Sequence, residues 1–505
     1  MKTLCLLLLS LLLCVTASAA VPSSINNDDS CDVKVGPAAT LLLPYFEVDP
    51  NPNVPGQTTL FTITNVSRYP QIAHVTLWTD WAYPVLTFNL FLTGYDVQAI
   101  NLYDVIVRGT IAPPSGTSQA TTPGTLSSSN KSGNLRATLD CASNPGLLPL
   151  PLTWAVRTSL TTGVFNPGGG VTPCSTNGGV HANAIGYVTI DVVANCTNLL
   201  PTDPAYYTTD LLFDNVLIGD YQQLGGSPAG TGAPSAFDAA GNPMVHIRAV
   251  PEGGGAGSNV ATALPYTFYD RYTPAATRTI DRRQPLPSTF AARYIQGGPT
   301  AFATNLTIWR EGFTGSGESC ASHVNNAALT FGEIVRFDEH ENPSTFHAPP
   351  ICQCQPNVST VPIASSTNTA DSIYPQLFGT DVGGWLYLNL NNGGSDHYSI
   401  TSHPSGAITA GRARTPFGTP RASQNWVTVT MFGDAGGSRM AAELDAAPLG
   451  NGCSPAAQIS PASDFYGYGM VPVGPAGGIF ICPPGTTLTD GTTALCTGTN
   501  GNPQP

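Results

Sequence analysis

The chain has 505 residues, with 19 Lys and Arg against 32 Asp and Glu and a formal net charge of −13 at pH 7. That balance argues against nucleic acid and anionic membrane surfaces as partners, since both are held by basic patches. Charged residues make up only 10% of the sequence while Gly (53) and Pro (45) are abundant, which disfavours amphipathic helices and suits short strands joined by many turns.

Residues 1–20 read as a cleavable secretory signal. Lys2 supplies a basic start, Leu4 to Val15 form the apolar stretch, and Ala17-Ser18-Ala19 matches the small-x-small pattern of a cleavage site. The apolar run is shorter than the ~20 residues of a membrane-spanning helix, and Val21-Pro22 interrupts any continuation. Leu13 before Cys14 and Leu4 before Cys5 are not the small residues that precede a lipidated cysteine. The expected location is therefore extracytoplasmic, secreted or at the cell surface, with no transmembrane segment further on.

In such a compartment the cysteines beyond the signal read as disulfides. They are Cys31, Cys141, Cys174, Cys196, Cys320, Cys352, Cys354, Cys453, Cys482 and Cys496. Proximity favours Cys174 with Cys196 and Cys482 with Cys496. Cys352 and Cys354, one residue apart, suit staples to two distant partners.

The length exceeds one ordinary core, so two or more domains are expected. After an N-terminal segment at 21–35, a first domain is placed at 36–250. Thr59–Asn65, Ala73–Trp78, Leu86–Leu92 and Val97–Leu102 approach apolar/polar alternation with turn residues between them, and are expected to form one antiparallel sandwich sheet. Residues 109–135 are rich in Ser, Thr, Pro and Gly and read as a mobile loop. Strand signals resume at Tyr187–Val193 and Val245–Val250, and Thr209–Gly219 suits either a short helix or a strand.

A Gly-rich linker is expected at 251–262 and a second domain at 263–455. Its strand signals are Thr289–Ile295, Ala303–Trp309, Gly332–Phe337, Gly384–Leu390 and Asn425–Met431. Residues 456–505 read as a Gly/Pro/Thr-rich irregular tail. His74–Asp80 and Asn305–Glu311 share an apolar-Thr-apolar-Trp-x-acid pattern that suggests an internal duplication, with Trp78 and Trp309 in comparable environments.

The run Ala38–Val48 with its Pro44-Tyr45-Phe46, the strand Thr59–Asn65, and Leu92-Thr93-Gly94-Tyr95-Asp96-Val97 resemble a class of uncharacterised bacterial secreted proteins. The resemblance covers roughly residues 36–105 and, loosely, the second half. It implies export and an immunoglobulin-like sandwich, and no activity. The expected fold is all-β: two immunoglobulin-like antiparallel β-sandwich units with long loops and an irregular C-terminal tail.

Catalytic motifs do not appear. Gly-x-Ser-x-Gly, His-Glu-x-x-His, P-loop and dinucleotide fingerprints are missing, and Pro343 follows His340-Glu341-Asn342 where a metalloprotease helix would run. Asp338, Glu339 and Glu341 form the densest acid cluster and are the candidate calcium ligands. Glu311, Glu333, Asp338 and Glu443 are nominal members of a glycosidase carboxylate pair, each equally readable as a solvated residue or a partner of Arg293, Arg310 or Arg336. Trp81 with Tyr83, and Tyr266, Tyr269 and Tyr272, concentrate rings in short spans and are candidate binding residues. The functional expectation is a structural or binding protein with protein or glycan partners, or self-assembly. A secreted polysaccharide hydrolase is the alternative.

Overall fold

A computed structural model describes residues 33–53, 56–80, 82–111, 148–164, 178–201, 203, 205–225, 238–250, 268–269, 281, 283–287, 289–298, 302–310, 333–346, 358–363, 382–390, 424–435 and 438–449. Beyond these it describes four short strands at 469–472, 478–481, 486–488 and 496–498. The described chain is mostly β, in antiparallel sheets. No helix among the described residues is long and apolar enough to cross a membrane.

The first half contributes β1 (Thr40–Val48), β2 (Thr58–Asn65), β3 (Gln71–Thr79), β4 (Pro84–Leu92), β5 (Val97–Asn101), β6 (Ala184–Val193), β7 (Leu217–Leu224), β8 (Asp238–Pro243) and β9 (Val245–Ile247). They form a five-stranded sheet in the order β4-β3-β6-β1-β9 and a four-stranded sheet in the order β5-β2-β7-β8. The four strands β2 to β5 thus divide between two sheets and do not make one, which corrects the expectation from the sequence. The cause is burial: β2 alternates half-buried and buried positions, whereas β3 is buried along nearly its whole length and belongs in a sheet covered on both faces.

Leu41, Leu43 and Phe46 of β1, Phe61 and Ile63 of β2, Val75 and Leu77 of β3, Val188 and Ile190 of β6 and Tyr221 of β7 fill one core between the two sheets. Helix α1 (Leu150–Thr162) adds Val156 and Leu160 to it. This helix has no Glu or Lys. It is bounded by proline at its start and by Gly163 in a left-handed conformation (φ 70°) at its end, the arrangement that starts and stops a helix most cheaply. Pro44 and Tyr45 form a bulge in β1 where the register against β6 shifts, and a bulge tolerates the missing proline N–H. Across from it a Cβ on Gly186 would lie 2.0 Å from the Trp78 carbonyl oxygen, so only glycine fits. The Thr209–Gly219 stretch resolves into one helical turn ending at Asp210, with β7 beginning at Leu217.

The second half contributes β10 (Thr289–Ile295), β11 (Ala303–Arg310), β12 (Glu333–Asp338), β13 (Pro343–Phe346), β14 (Val358–Ile363), β15 (Gly383–Asn389), β16 (Asn425–Ala435), β17 (Ser438–Asp445) and β18 (Ala447–Pro448). One sheet runs β13-β12-β15-β10-β18 and the other β14-β11-β16-β17. The last four short strands pair as two hairpins, within the stretch expected to be irregular.

The outward face of the first half's five-stranded sheet shares a core with the second half. Leu42, Ile72, Trp78 and Tyr187 join Phe290, Leu306, Ile308, Leu388 and Val427 in it. Trp78 stacks on Tyr187 with ring centroids 5.6 Å apart, and Tyr187 meets Trp309 edge-on at 5.8 Å. The two tryptophans of the suspected repeat therefore converge on one tyrosine, from strands in different sheets. The linker at 251–262 and residues 112–135 of the expected loop lie outside the described residues.

Candidate functional site

Two loops at one end of the first half, Val66–Pro70 and Thr93–Asp96, are tied together by Asn65. This side chain is fully buried at the end of β2. Its Nδ2 donates to the carbonyls of Tyr69 (2.7 Å) and Thr93 (2.9 Å), and its Oδ1 accepts from the N–H and hydroxyl of Ser67. Asp96 locks the second loop: Oδ2 accepts from the N–H and hydroxyl of Thr93, and Oδ1 from the N–H of Val97. Gly94 permits their close approach, because a Cβ there would fall 2.3 Å from the Arg68 carbonyl oxygen.

This lock holds side chains out in solvent. Tyr95 is 71% and Tyr69 58% exposed, with Val97 beside them, and the Arg68 guanidinium lies 4.7 Å from the Tyr69 ring centre. Tyr95 adopts φ 58°, a left-handed conformation that costs a non-glycine residue roughly 1 kcal/mol or more. The fold thus spends backbone strain on an aromatic ring that packs against little. The sequence marks Asn65 as a strand end and Thr93-Gly94-Tyr95-Asp96 as a turn, without singling out Tyr69 or Tyr95 as binding residues. Their signal was the Gly-Tyr-Asp turn beside an Asn that ends a strand.

A second exposed aromatic lies in the other half. Trp385, 44% exposed near the start of β15, pairs in register with Arg293 on one side and Phe337 on the other. The Arg293 guanidinium is 4.9 Å from its ring centre and 3.9 Å from a Glu339 carboxylate oxygen.

Glu339 belongs to the acid cluster expected to hold calcium. Among the described residues no group of three or more His, Cys, Asp or Glu side chains is placed to hold a metal ion. The Asp338 carboxylate accepts from the N–H groups of His340 and Asn342 and from the Asn342 amide, which holds it below its ordinary pKa and shapes the β12–β13 turn. Glu341 occupies the left-handed position of that turn (φ 63°), while Glu339 turns to Arg293. Of the three acids, Asp338 is the one tied into the turn by side-chain hydrogen bonds.

Of the aromatic residues nominated from sequence, Tyr83 is half-buried against the first core, and Tyr269 is 1% exposed with its hydroxyl donating to Asp191. Trp81, Tyr266 and Tyr272 lie outside the described residues. Of the nominated cysteines, Cys196 is fully buried beside Tyr206 and Tyr207, Cys496 opens the last short strand, and Cys174 and Cys482 lie outside the described residues.

Of the carboxylates named for glycoside cleavage, Asp338 and Glu443 have described side chains. Asp338 is committed to its turn, Glu311 lies outside the described residues, and Glu333 begins β12. Glu443 of β17 is 8% exposed and packs against the first half, its Oε1 accepting from the Tyr221 hydroxyl (2.5 Å). Burial, with the charge of Asp445 adding to it, raises Glu443 to about 7 against the pull of the Tyr221 hydrogen bond. Asp445 accepts from Trp426 Nε1 and Asn242 Nδ2, both at 2.9 Å.

Two further polar groups are notable. Fully buried Asp191 accepts from the hydroxyls of Thr40 (2.5 Å), Tyr206 (2.6 Å) and Tyr269 (2.8 Å), with Arg283 Nε 3.5 Å away. Burial opposes the Arg283 charge, but Asp191 and Asp281 outweigh it and hold its pKa above the usual value. His181, partly exposed, lies 2.9 Å from Asp80, whose other oxygen accepts from the Gly179 N–H. Burial works against the imidazolium there, but the hydrogen bond and charge of Asp80 raise the pKa overall.

Comparison with protein-family models, with curated proteins and with solved structures gave no match.

Proposed function

We propose that the chain is a secreted or cell-surface-associated binding and structural protein, acting in adhesion, in envelope or matrix assembly, or in glycan contact. It is built as two immunoglobulin-like sandwich units, stiffened by disulfides in which buried Cys196 takes part. The observation that carries this reading is Tyr95: a solvent-exposed ring on a strained residue, in a loop pair locked by buried Asn65. Rigid, exposed tyrosines supply contact area at low entropic cost, and strain retained on a displayed side chain points to a role outside the fold. The buried ionisable groups instead face one another, as Asp191 and Arg283 do.

A binding screen of the exported chain against glycans, polymers and extracellular proteins tests the reading, run beside Tyr69→Ala and Tyr95→Ala. A partner retained by the wild type and lost by both variants supports it. Wild-type and variant proteins with identical binding profiles would refute the role of these loops.

A polysaccharide hydrolase is the second reading, favoured by Glu443, whose raised pKa suits a general acid. It requires release of reducing ends from a polysaccharide that Glu443→Gln abolishes. Equal release by that variant removes it.

A further inference from the structure

We propose that Trp385, Arg293 and Glu339 form a sugar-binding subsite for a neutral hexose unit of a polysaccharide. This rests on the reading of the chain as a binding protein and gives that function a ligand class and a second contact point. Three strands of one sheet present the side chains: Arg293 on β10 and Trp385 on β15 are register partners, and Glu339 follows β12 immediately.

The backbone fixes the arrangement. A Cβ on Gly384 would sit 2.0 Å from the Phe337 carbonyl oxygen, and one on Gly383 would sit 2.7 Å from a Glu339 carboxylate oxygen. Gly384, against backbone, lets β12 close down beside Trp385, and the Glu339 carboxylate reaches over Gly383. The Asp338 hydrogen bonds that hold the β12–β13 turn leave Glu339 free to face Arg293.

The chemistry selects the ligand. The Arg293 guanidinium lies over the indole, 4.9 Å from its centre, and a sugar ring offers an apolar C–H face for the part of the indole left exposed together with hydroxyls that both accept from a guanidinium and donate to a carboxylate. Arg293 and Glu339 are each more than half exposed and separated by 3.9 Å, a loose pair that retains hydrogen-bonding capacity for such hydroxyls. An anionic ligand would meet the Glu339 carboxylate, and an apolar peptide would strip water from both charges without replacing it. A neutral polyhydroxylated ring satisfies all three side chains at once.

The test is retention of the exported chain on insoluble cellulose, chitin and β-1,3-glucan, with polygalacturonate as the acidic control. The expected result is retention on at least one neutral polymer, weakened roughly tenfold or more by Trp385→Ala and less by Trp385→Phe, Arg293→Ala and Glu339→Gln. Circular dichroism and the thermal midpoint of each variant show that the fold is kept, as the exposure of these side chains implies. Retention by Trp385→Ala equal to the wild type overturns the subsite. So does a preference for polygalacturonate, or no retention of the wild type on any neutral polymer. Retention lost in Tyr95→Ala but kept in Trp385→Ala overturns the subsite while leaving the binding function standing, and a protein partner found without any neutral polymer does the same.

Discussion

Glu443 makes the stability of this protein pH-dependent in a direction opposite to that of an ordinary salt-bridged acid. In the folded chain burial places its pKa at about 7, against the ordinary 4.5. A folded-state pKa above the unfolded one means that the native state holds the proton more tightly. The stabilisation is therefore complete below about pH 4.5 and is lost as the pH rises through about 7. The gap between those two values corresponds to roughly 3 kcal/mol, and because the side chain is 8% exposed little of it is screened away. Asp445, raised to about 6, changes in the same direction but sits in contact with water and should contribute less.

Glu443→Gln keeps an acceptor for the Tyr221 hydroxyl and removes the charge. Its buried amide nitrogen is left without a partner in place of the orphaned carboxylate oxygen, a cost of about 1–3 kcal/mol that does not vary with pH. Thermal or urea unfolding between about pH 4.5 and 8.5 should show wild-type stability falling toward alkaline pH. The variant's profile should be flatter, so that its deficit at acid pH narrows or reverses at alkaline pH. Parallel pH profiles for the two proteins would refute the assignment of the slope to Glu443.

Other substitutions separate display from folding. Tyr95→Gly relieves the left-handed backbone and should leave the fold as stable or more stable by up to about 1 kcal/mol, while losing any partner bound through that loop; a loss of stability in urea would contradict the strain argument. Gly94→Ala forces the loop off the Arg68 carbonyl and should cost about 2 kcal/mol or more in the same assay, with weaker binding. Asp191→Asn removes one of the two carboxylates that lie 3.5 Å from the fully buried Arg283, leaving Asp281 as its counter-charge, and should cost about 2–3 kcal/mol by denaturant titration. Because Asp338 is occupied by its own turn, EDTA should leave the thermal midpoint unchanged, whereas Asp338→Ala should lower it slightly through loss of the turn's hydrogen bonds.

The strands were legible wherever one face is wet. The alternation of β2 from Thr58 to Asn65 marks it directly, and β10, β11, β15 and β16 lie where apolar runs between turn residues predicted them. Elements outside that pattern were harder to see. β1 is buried on both faces and β7 begins inside a stretch of undecided period. Helix α1 carries threonines and a tryptophan where charged residues would mark a helical surface, so its proline start and Gly163 end were its main signs. The buried networks were illegible for another reason. Tyr221 and Glu443 are separated by 222 residues and Thr40 and Arg283 by 243, and no local pattern encodes such a meeting. The acid cluster at 338–341 is ambiguous in the sequence because carboxylates shape turns as readily as they bind cations, and the contacts of Asp338 with Asn342 become visible only in the fold.

The sharing of one core by the two halves constrains which residues are open to a partner. Trp78, Tyr187 and Trp309 are consumed in a single buried stack, and Phe268 adds to it at 5.7 Å from Trp309. The largest aromatic grouping in the described chain therefore serves cohesion between the halves and offers nothing to a ligand. Ionisable groups follow the same rule, since Asp191, Arg283 and Glu443 all face inward and are answered by tyrosine hydroxyls or by each other. The exposed rings among the described residues are Trp154 on α1 and Tyr69, Tyr95 and Trp385, the last three each at a turn or strand end where the backbone is fixed by hydrogen bonds or glycine contacts and the side chain is not. A rigid frame with its chemistry turned inward and a few rings turned outward is suited to holding a partner. The two ring sites lie on different halves joined by the common core, so a polymer or surface touching both would be gripped at two points, and loss of either site should weaken retention more than the affinity of that site alone would suggest.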